Sequence, residues 1–257
     1  VEAGKIRVTD AQGAPPHIPF WLGEAPARTS ELSQAVSDLR SEIAQRLEHH
    51  DAAEEWLKKE TGIDPLGAVQ MIQYITDTVA TLGCVPTVDR IVAERFFDES
   101  GGMQLVIHSP LGGYINRAFG LALRKRFCVS FDFELQAAAT DDGIVISLGE
   151  QHSFPLDSVF SMISLRTVEA DLTQAALQSP MFTSRWRWNI TRALALLRHS
   201  GGKRVPMPIQ RMRADDLLAA VFPAQVACGD NHFAGPIDLP DHPLVNETKE
   251  NCLYEAM

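Results

Sequence analysis

Apolar residues recur at two different periods along the 257-residue chain, and the change of period marks out its elements. After a Thr29–Ser30 pair suited to cap a helix, Val36, Leu39, Ile43 and Leu47 fall at helical spacing. Asp64 is the expected cap of a further helix, PLGAVQMIQYITDTVATL, and Gly83 its expected end. Trp56, among the charges of DAAEEWLKKE, is expected on an amphipathic helix with its ring partly buried. Upstream, KIRVTD alternates like a short strand, and AQGAPPHIP reads as a loop.

The middle of the chain shifts to period two. RIVAERFFDESGGMQLVIHSP holds two β-type runs about an Asp-Glu-Ser-Gly-Gly turn. SFDFELQAAAT and GIVISLG form a second pair about Asp141-Asp142-Gly143. Between them GGYINRAFGLALRKRF predicts a helix with Ile115, Phe119, Ala122 and Leu123 turned inward. From Pro155 the pattern is helical, broken by SGGKRVPMPIQ and by a Pro/Gly-rich stretch at 229–243, and HPLVNETKENCLYEAM reads as a closing helix. The expected fold is α+β, a central antiparallel β region flanked by helices. It is treated as one unit over 1–257, with possible sub-boundaries near 84–88 and 150–155.

One helix carries an unusual surface. RWRWNITRALALLRHSGGKR, residues 185–204, holds two of the four tryptophans, six Arg/Lys and no carboxylate. At about 100° per residue, Ile190, Ala193, Leu194 and Leu197 fall on the side of Trp186, which predicts a buried Trp186. Trp188 falls on the opposite side with Arg185, Arg192 and His199. That face is open to two readings, a platform on which a base stacks beside arginine or a contact with another part of a larger protein.

Composition narrows the setting. An apolar content of 45% supports a substantial core, and no apolar run reaches the roughly 18 residues that span a membrane. No secretory leader is visible, and a valine in first position suggests a piece of a longer polypeptide. Cys84, Cys128, Cys228 and Cys252 are far apart and form no CxxC pair, so reduced thiols and a cytoplasmic setting are expected, with no metal site. The formal charge is −10, yet no Asp or Glu occurs between Glu99 and Asp132 or between Asp171 and Asp215. Those intervals carry four and eight Arg/Lys. Either they admit anions locally or acidic neighbours neutralise them in the fold.

Several reaction classes lose their parts. GxxxxGK[ST], Asp-Glu-x-His after an apolar strand, HExxH and GxSxG are all absent, so ATP hydrolysis, zinc proteolysis and esterase chemistry are not expected. A nuclease or glycosylase lacks a carboxylate or His constellation at metal spacing. His108-Ser109 is weak evidence for a nucleophile, because triads assemble in space. The turn HSPLGG that follows offers backbone N–H groups and a helix N-terminus, which suit a phosphate or simply make a tight turn.

IPFWLGEAPARTSELS, VAERFFDESGGMQLVIHSPLGGYINRAFGLALRKRF, FELQAAATDDGIVISLG, SPMFTSRWRWNITRALALLR and QRMRADDLLAAVFPAQ closely resemble the large helicase-related (Lhr) family across roughly residues 15–257. The match is to the helicase-associated module that follows two RecA-like motor domains and a winged helix. The resemblance implies a part of an ATP-dependent superfamily 2 helicase that moves 3′ to 5′ on single-stranded DNA, unwinds duplexes and RNA:DNA hybrids, and serves DNA repair. ATP and Mg would be bound by the motor domains and no cofactor by this module. Its partners would be the nucleic acid and the RecA-like and winged-helix domains of the same polypeptide. The resemblance makes Trp21 the best candidate for stacking on a base. Further contacts are expected from Arg28, His108, Ser109, Asn116 and Arg117, and from Arg185, Trp188 and Arg192 on the helix face. The rival expectation is a module that docks on the motor without touching nucleic acid.

Overall fold

Thr29 has an extended backbone and accepts the Leu32 N–H at 3.2 Å on its hydroxyl, which starts helix α1 (Ser30–Gln45). The structure, a computed structural model, describes residues 27–99, 101–131, 135–148, 154–230 and 236–256. The KIRVTD strand, the loop after it and Trp21 lie outside those residues. Helix α2 (His50–Thr61) ends at Gly62, and α3 (Pro65–Leu82) is capped by Asp64, whose Oδ1 accepts the Leu66 and Gly67 N–H groups, each at 3.0 Å. Ile43, Leu57, Ile72 and Ile75 form the core of these three helices. Trp56 is half-buried beneath the Arg46 guanidinium, which lies 4.4 Å from its ring centroid. Ser37, also buried, accepts the Val88 N–H at 2.9 Å and ties α1 to the chain that leads into the sheet.

The alternating segments become β1 (Val92–Phe97), β2 (Met103–His108), β3 (Gln136–Ala139) and β4 (Gly143–Leu148), with helix α4 (Gly113–Phe131) between β2 and β3. The sheet is antiparallel throughout, in the order β1-β2-β4-β3. Register follows the period-two pattern: Met103, Leu105 and Ile107 pair with Leu148, Ile146 and Ile144, and all six are buried. Leu123 and Phe127 of α4 cover that face, together with Phe154 and Val159. Gly143 is required at its position, since a Cβ there would stand 2.6 Å from the Ile107 carbonyl oxygen. One sequence expectation fails on α4. Ile115 is 42% exposed, because the inward place in the first turn belongs to Asn116, and the buried stripe continues through Gly120, Leu123 and Phe127.

After the sheet come α5 (Ser158–Ser161), α6 (Val168–Leu177) and α7 (Pro180–Arg192). A short hairpin of β5 (His199–Ser200) and β6 (Lys203–Arg204) precedes α8 (Met207–Val221), α9 (Pro223–Asp230) and α10 (Pro243–Ala256). Their core gathers Phe182, Trp186, Ile190, Leu218, Phe222 and Val245. Trp186 has no exposed surface and donates its indole N–H to the Ala214 carbonyl at 2.9 Å. The predicted helix is too long at its C-terminal end. It stops at Arg192, Leu194 adopts a left-handed φ of +58°, and the Leu196 N–H bonds the Ile190 carbonyl at 3.1 Å. Leu196 consequently packs on the core, while Ala193, Leu194 and Leu197 face solvent. His199 belongs to the hairpin rather than to the helix face.

The resulting fold is α+β, a four-stranded antiparallel sheet flanked by helices, as the hydrophobic periods predict. Among the described residues no helix is long and apolar enough to cross a membrane, and no group of three or more His, Cys, Asp or Glu is arranged to hold a metal ion.

Candidate nucleic-acid interface

The residues singled out by sequence separate into distinct places. Around the HSPLGG turn, the anion that the helix N-terminus attracts is the protein's own. Asp141 Oδ1 accepts the Gly113 N–H at 2.7 Å and the Arg28 N–H at 3.0 Å, so the first turn of α4 is satisfied from the β3–β4 turn. Arg28 lies across this joint. Its Nη2 donates to the Asp141 carbonyl at 3.0 Å and to Asp142 Oδ1 at 3.1 Å, and its Nε donates to Ser33 Oγ at 3.2 Å. Arg40 of α1 reaches the same Asp142 oxygen at 3.0 Å. Ser109 and Asn116 are wholly buried here. The Asn116 amide donates to the Ser109 carbonyl at 2.6 Å and to the Thr140 carbonyl at 2.9 Å. These residues join helix, sheet and turn, and of the three candidates Arg28 alone keeps some exposed surface, 13% of its side chain.

His108 is elsewhere, its Nε2 3.1 Å from Glu94 Oε2 on the neighbouring strand. The pair lines a cleft of about 350 Å³ against α3, with Arg40, Tyr74 and Asp142 on its walls. Asp77, Glu94 and Asp142 line the same cleft, which makes it a poor place for phosphate.

The third group comes together as the helix angles predict. Arg185, Trp188 and Arg192 line one cleft of about 320 Å³ between α7, α10 and the start of α4. Trp188 is 51% exposed, and the Arg185 guanidinium lies over one face of its ring, 4.5 Å from the centroid. Arg185 holds this position because Glu255 grips it with both carboxylate oxygens. Arg192 donates to Glu247 at 2.5 Å and to Asn189 Oδ1 at 3.2 Å. Arg117 lies behind the cleft and donates to the Glu255 carbonyl at 3.1 Å near the end of α10.

Sequence reasoning missed the partners in this cleft. Tyr114 and Tyr254 add exposed aromatic surface, 42% and 84% exposed, and Asn251 donates to Asn189 Oδ1 at 3.1 Å. The signal was available in the closing helix, where Glu247, Asn251 and Glu255 recur every four residues and mark one polar face. The consequence is electrostatic. The two cleft arginines are matched by two glutamates, so this surface is aromatic and near neutral in charge rather than basic. The central acid-free interval is likewise built in, with Lys125 buried and its Nζ 3.3 Å from Gln178 Oε1, and Arg126 on the Met162 carbonyl at 3.1 Å. Beneath the cleft, burial and the Glu255 carboxylate push the Cys252 thiol up to about 12, with Arg185 acting in the opposite sense.

A model of the DEAD/H-associated family matches residues 85–257. The chain is 29% identical over 252 residues to the Lhr helicase/probable uracil glycosylase of Mycolicibacterium smegmatis and 27% identical over 252 residues to the Lhr helicase/uracil glycosylase of Escherichia coli. It is 98% covered in both alignments but spans only 16% and 15% of those proteins. An ATP-dependent helicase Lhr-Core of Saccharolobus solfataricus is 25% identical over 86% of the chain and 26% of its own length. Among solved structures, the Mycobacterium smegmatis helicase Lhr bound to ssDNA and AMP-PNP superposes with a TM-score of 0.76 at 28% identity, over 96% of this chain and 29% of that one.

Proposed function

The chain belongs to the DEAD/H-associated family, and from that premise we propose that it is the nucleic-acid-binding accessory module of an Lhr-type, ATP-dependent 3′–5′ DNA helicase. In this reading it contacts the tracking single strand and helps part a duplex or RNA:DNA hybrid in DNA repair. RecA-like domains of the same polypeptide bind ATP and Mg, and a winged helix adjoins the module. The solved neighbour that carries ssDNA supports the assignment of ligand. The glycosylase named for two relatives belongs to proteins of which this chain spans about a sixth.

The observation that carries the reading is the cleft around Trp188. An exposed indole, flanked by two tyrosines and held by a locked arginine, is suited to stacking with a base, worth about 1–3 kcal/mol. The same charge balance weakens the rival in which a basic helix face docks on an acidic motor surface, since the cleft arginines already have carboxylate partners. The test is titration of a fluorescent oligothymidylate with the chain and with Trp188→Ala. A loss of roughly 5- to 150-fold in affinity is expected; equal affinity would remove this cleft from the binding path. For Trp21, Trp21→Ala in the full helicase is expected to lower unwinding more than ATP hydrolysis, and equal loss in both would count against a stacking role.

A further inference from the structure

The hairpin that interrupts the helical half has a different electrostatic character from the cleft. Arg198, His199, Lys203 and Arg204 are all exposed, on or beside strands of two residues each. Gly201 and Gly202 form the tip, at φ +56° and +73°. The base is fixed to the body of the protein. Val205 is buried, its N–H donates to the Arg198 carbonyl at 2.8 Å, and its own carbonyl accepts from the buried Gln210 amide at 2.6 Å. A narrow finger therefore projects from an anchored root.

Its cations are not neutralised. Among the described residues, Arg198, Lys203 and Arg204 take part in no ion pair, whereas Arg28, Arg40, Arg126, Arg185 and Arg192 all do. Among the described residues the Arg204 guanidinium has the Met207 sulfur as its one side-chain partner, at 4.0 Å. Three formal positive charges within seven residues repel one another, in a chain whose total is −10. Such a cluster fits a polyanion.

We propose that the β5–β6 hairpin is a phosphate-contacting finger, with Arg198, Lys203 and Arg204 on the backbone of the nucleic acid while the Trp188 cleft takes a base. The proposal rests on the nucleic-acid reading above and adds a second, chemically distinct contact to it. A nucleic acid is favoured over an acidic protein by shape. Two-residue strands with a glycine tip offer far less than the roughly 800 Å² per partner of a stable protein interface. Mobile guanidinium and ammonium groups need only reach successive phosphates.

Salt dependence separates the two contacts. Each phosphate contact on a single strand adds about 0.7 to the slope of log affinity against log salt. In titrations of labelled oligothymidylate with the 257-residue chain, Arg198→Ala/Lys203→Ala/Arg204→Ala is expected to flatten the slope by about 2. The variant's deficit against wild type should then shrink about twenty-fold between roughly 50 and 200 mM salt. Trp188→Ala should lower affinity and leave the slope unchanged. The hairpin residues are exposed, and unchanged circular dichroism and unfolding midpoint confirm that the triple variant is folded. If that variant keeps the wild-type slope while Trp188→Ala still weakens binding, the finger is overturned and the cleft stands. If the slope flattens and Trp188→Ala binds normally, the finger stands and the cleft falls. A wild-type chain with no affinity at low salt overturns both.

Discussion

Arg185 covers one face of Trp188 with its guanidinium 4.5 Å from the ring centroid, and it does so in the grip of Glu255. The pairing fixes the indole's neighbour and cancels its charge at once. Glu255→Gln keeps the side-chain shape and one acceptor but leaves the arginine charge uncompensated. The expected result is tighter binding of an oligothymidylate at low salt and a slope in log salt steeper by up to about 0.7. Anisotropy titrations at several salt concentrations check it. An unchanged slope would mean that Arg185 stays out of reach of phosphate even when freed.

Two tryptophans two residues apart should respond in opposite ways. Trp186 is wholly buried and hydrogen-bonded to Ala214, so Trp186→Ala is expected to cost about 3–5 kcal/mol in urea unfolding. Trp188 is half exposed, and Trp188→Ala should cost less than about 1 kcal/mol while weakening oligonucleotide binding. The reverse order of stabilities would contradict the facing of α7.

The hydrophobic periods made the fold legible because burial follows period directly. The four strands, both turns between them, the Asp64 cap and the closing helix all carry local signals strong enough to read. The failures have a common form. Ile115 yields the inward position to Asn116, whose amide is needed by two carbonyls, and Leu194 turns left-handed so that Leu196 reaches the core. In both, a polar or backbone requirement outranks the apolar pattern. The site was half legible. The helix angles brought Arg185, Trp188 and Arg192 together, but charge counting could not pair them with α10, more than 50 residues later. The glycine turn likewise has its anion in Asp141, 28 residues from Gly113 in sequence. Pairings across such distances are set by tertiary packing, not by spacing.

Asp141 provides a test of that internal anion. Asp141→Ala leaves the Gly113 and Arg28 N–H groups without their acceptor at the joint of α1, α4 and the sheet. A loss of about 1–3 kcal/mol is expected in denaturant unfolding. Asp141→Asn, which retains an acceptor oxygen but not the charge, should lose less. Equal losses for the two would show that the charge at the helix end, rather than the hydrogen bonds, carries the stabilisation.

Cys252 gives a pH signature to the packing under the cleft. Burial is the larger cause of its raised value of about 12, and the Glu255 carboxylate adds to it, against 9.0 for an ordinary thiol. Between those two values the unfolded chain gives up the thiol proton and the folded chain keeps it. The unfolded state then binds fewer protons, so stability falls as pH rises through this window and the contribution is fully present below it. Other groups titrate in the same range, so the informative quantity is the difference between wild type and Cys252→Ala. The variant should be less stable at neutral pH, and that deficit should narrow from pH 9 upward. A thiol-reactive probe at pH 8 should leave Cys252 unmodified in the folded chain and modify it in urea, because the buried group has neither thiolate character nor access. Rapid labelling of Cys252 itself in the folded protein, read by peptide mapping, or a deficit that does not change with pH, would show that Cys252 opens to solvent and that the α7–α10 contact beneath the cleft is not closed.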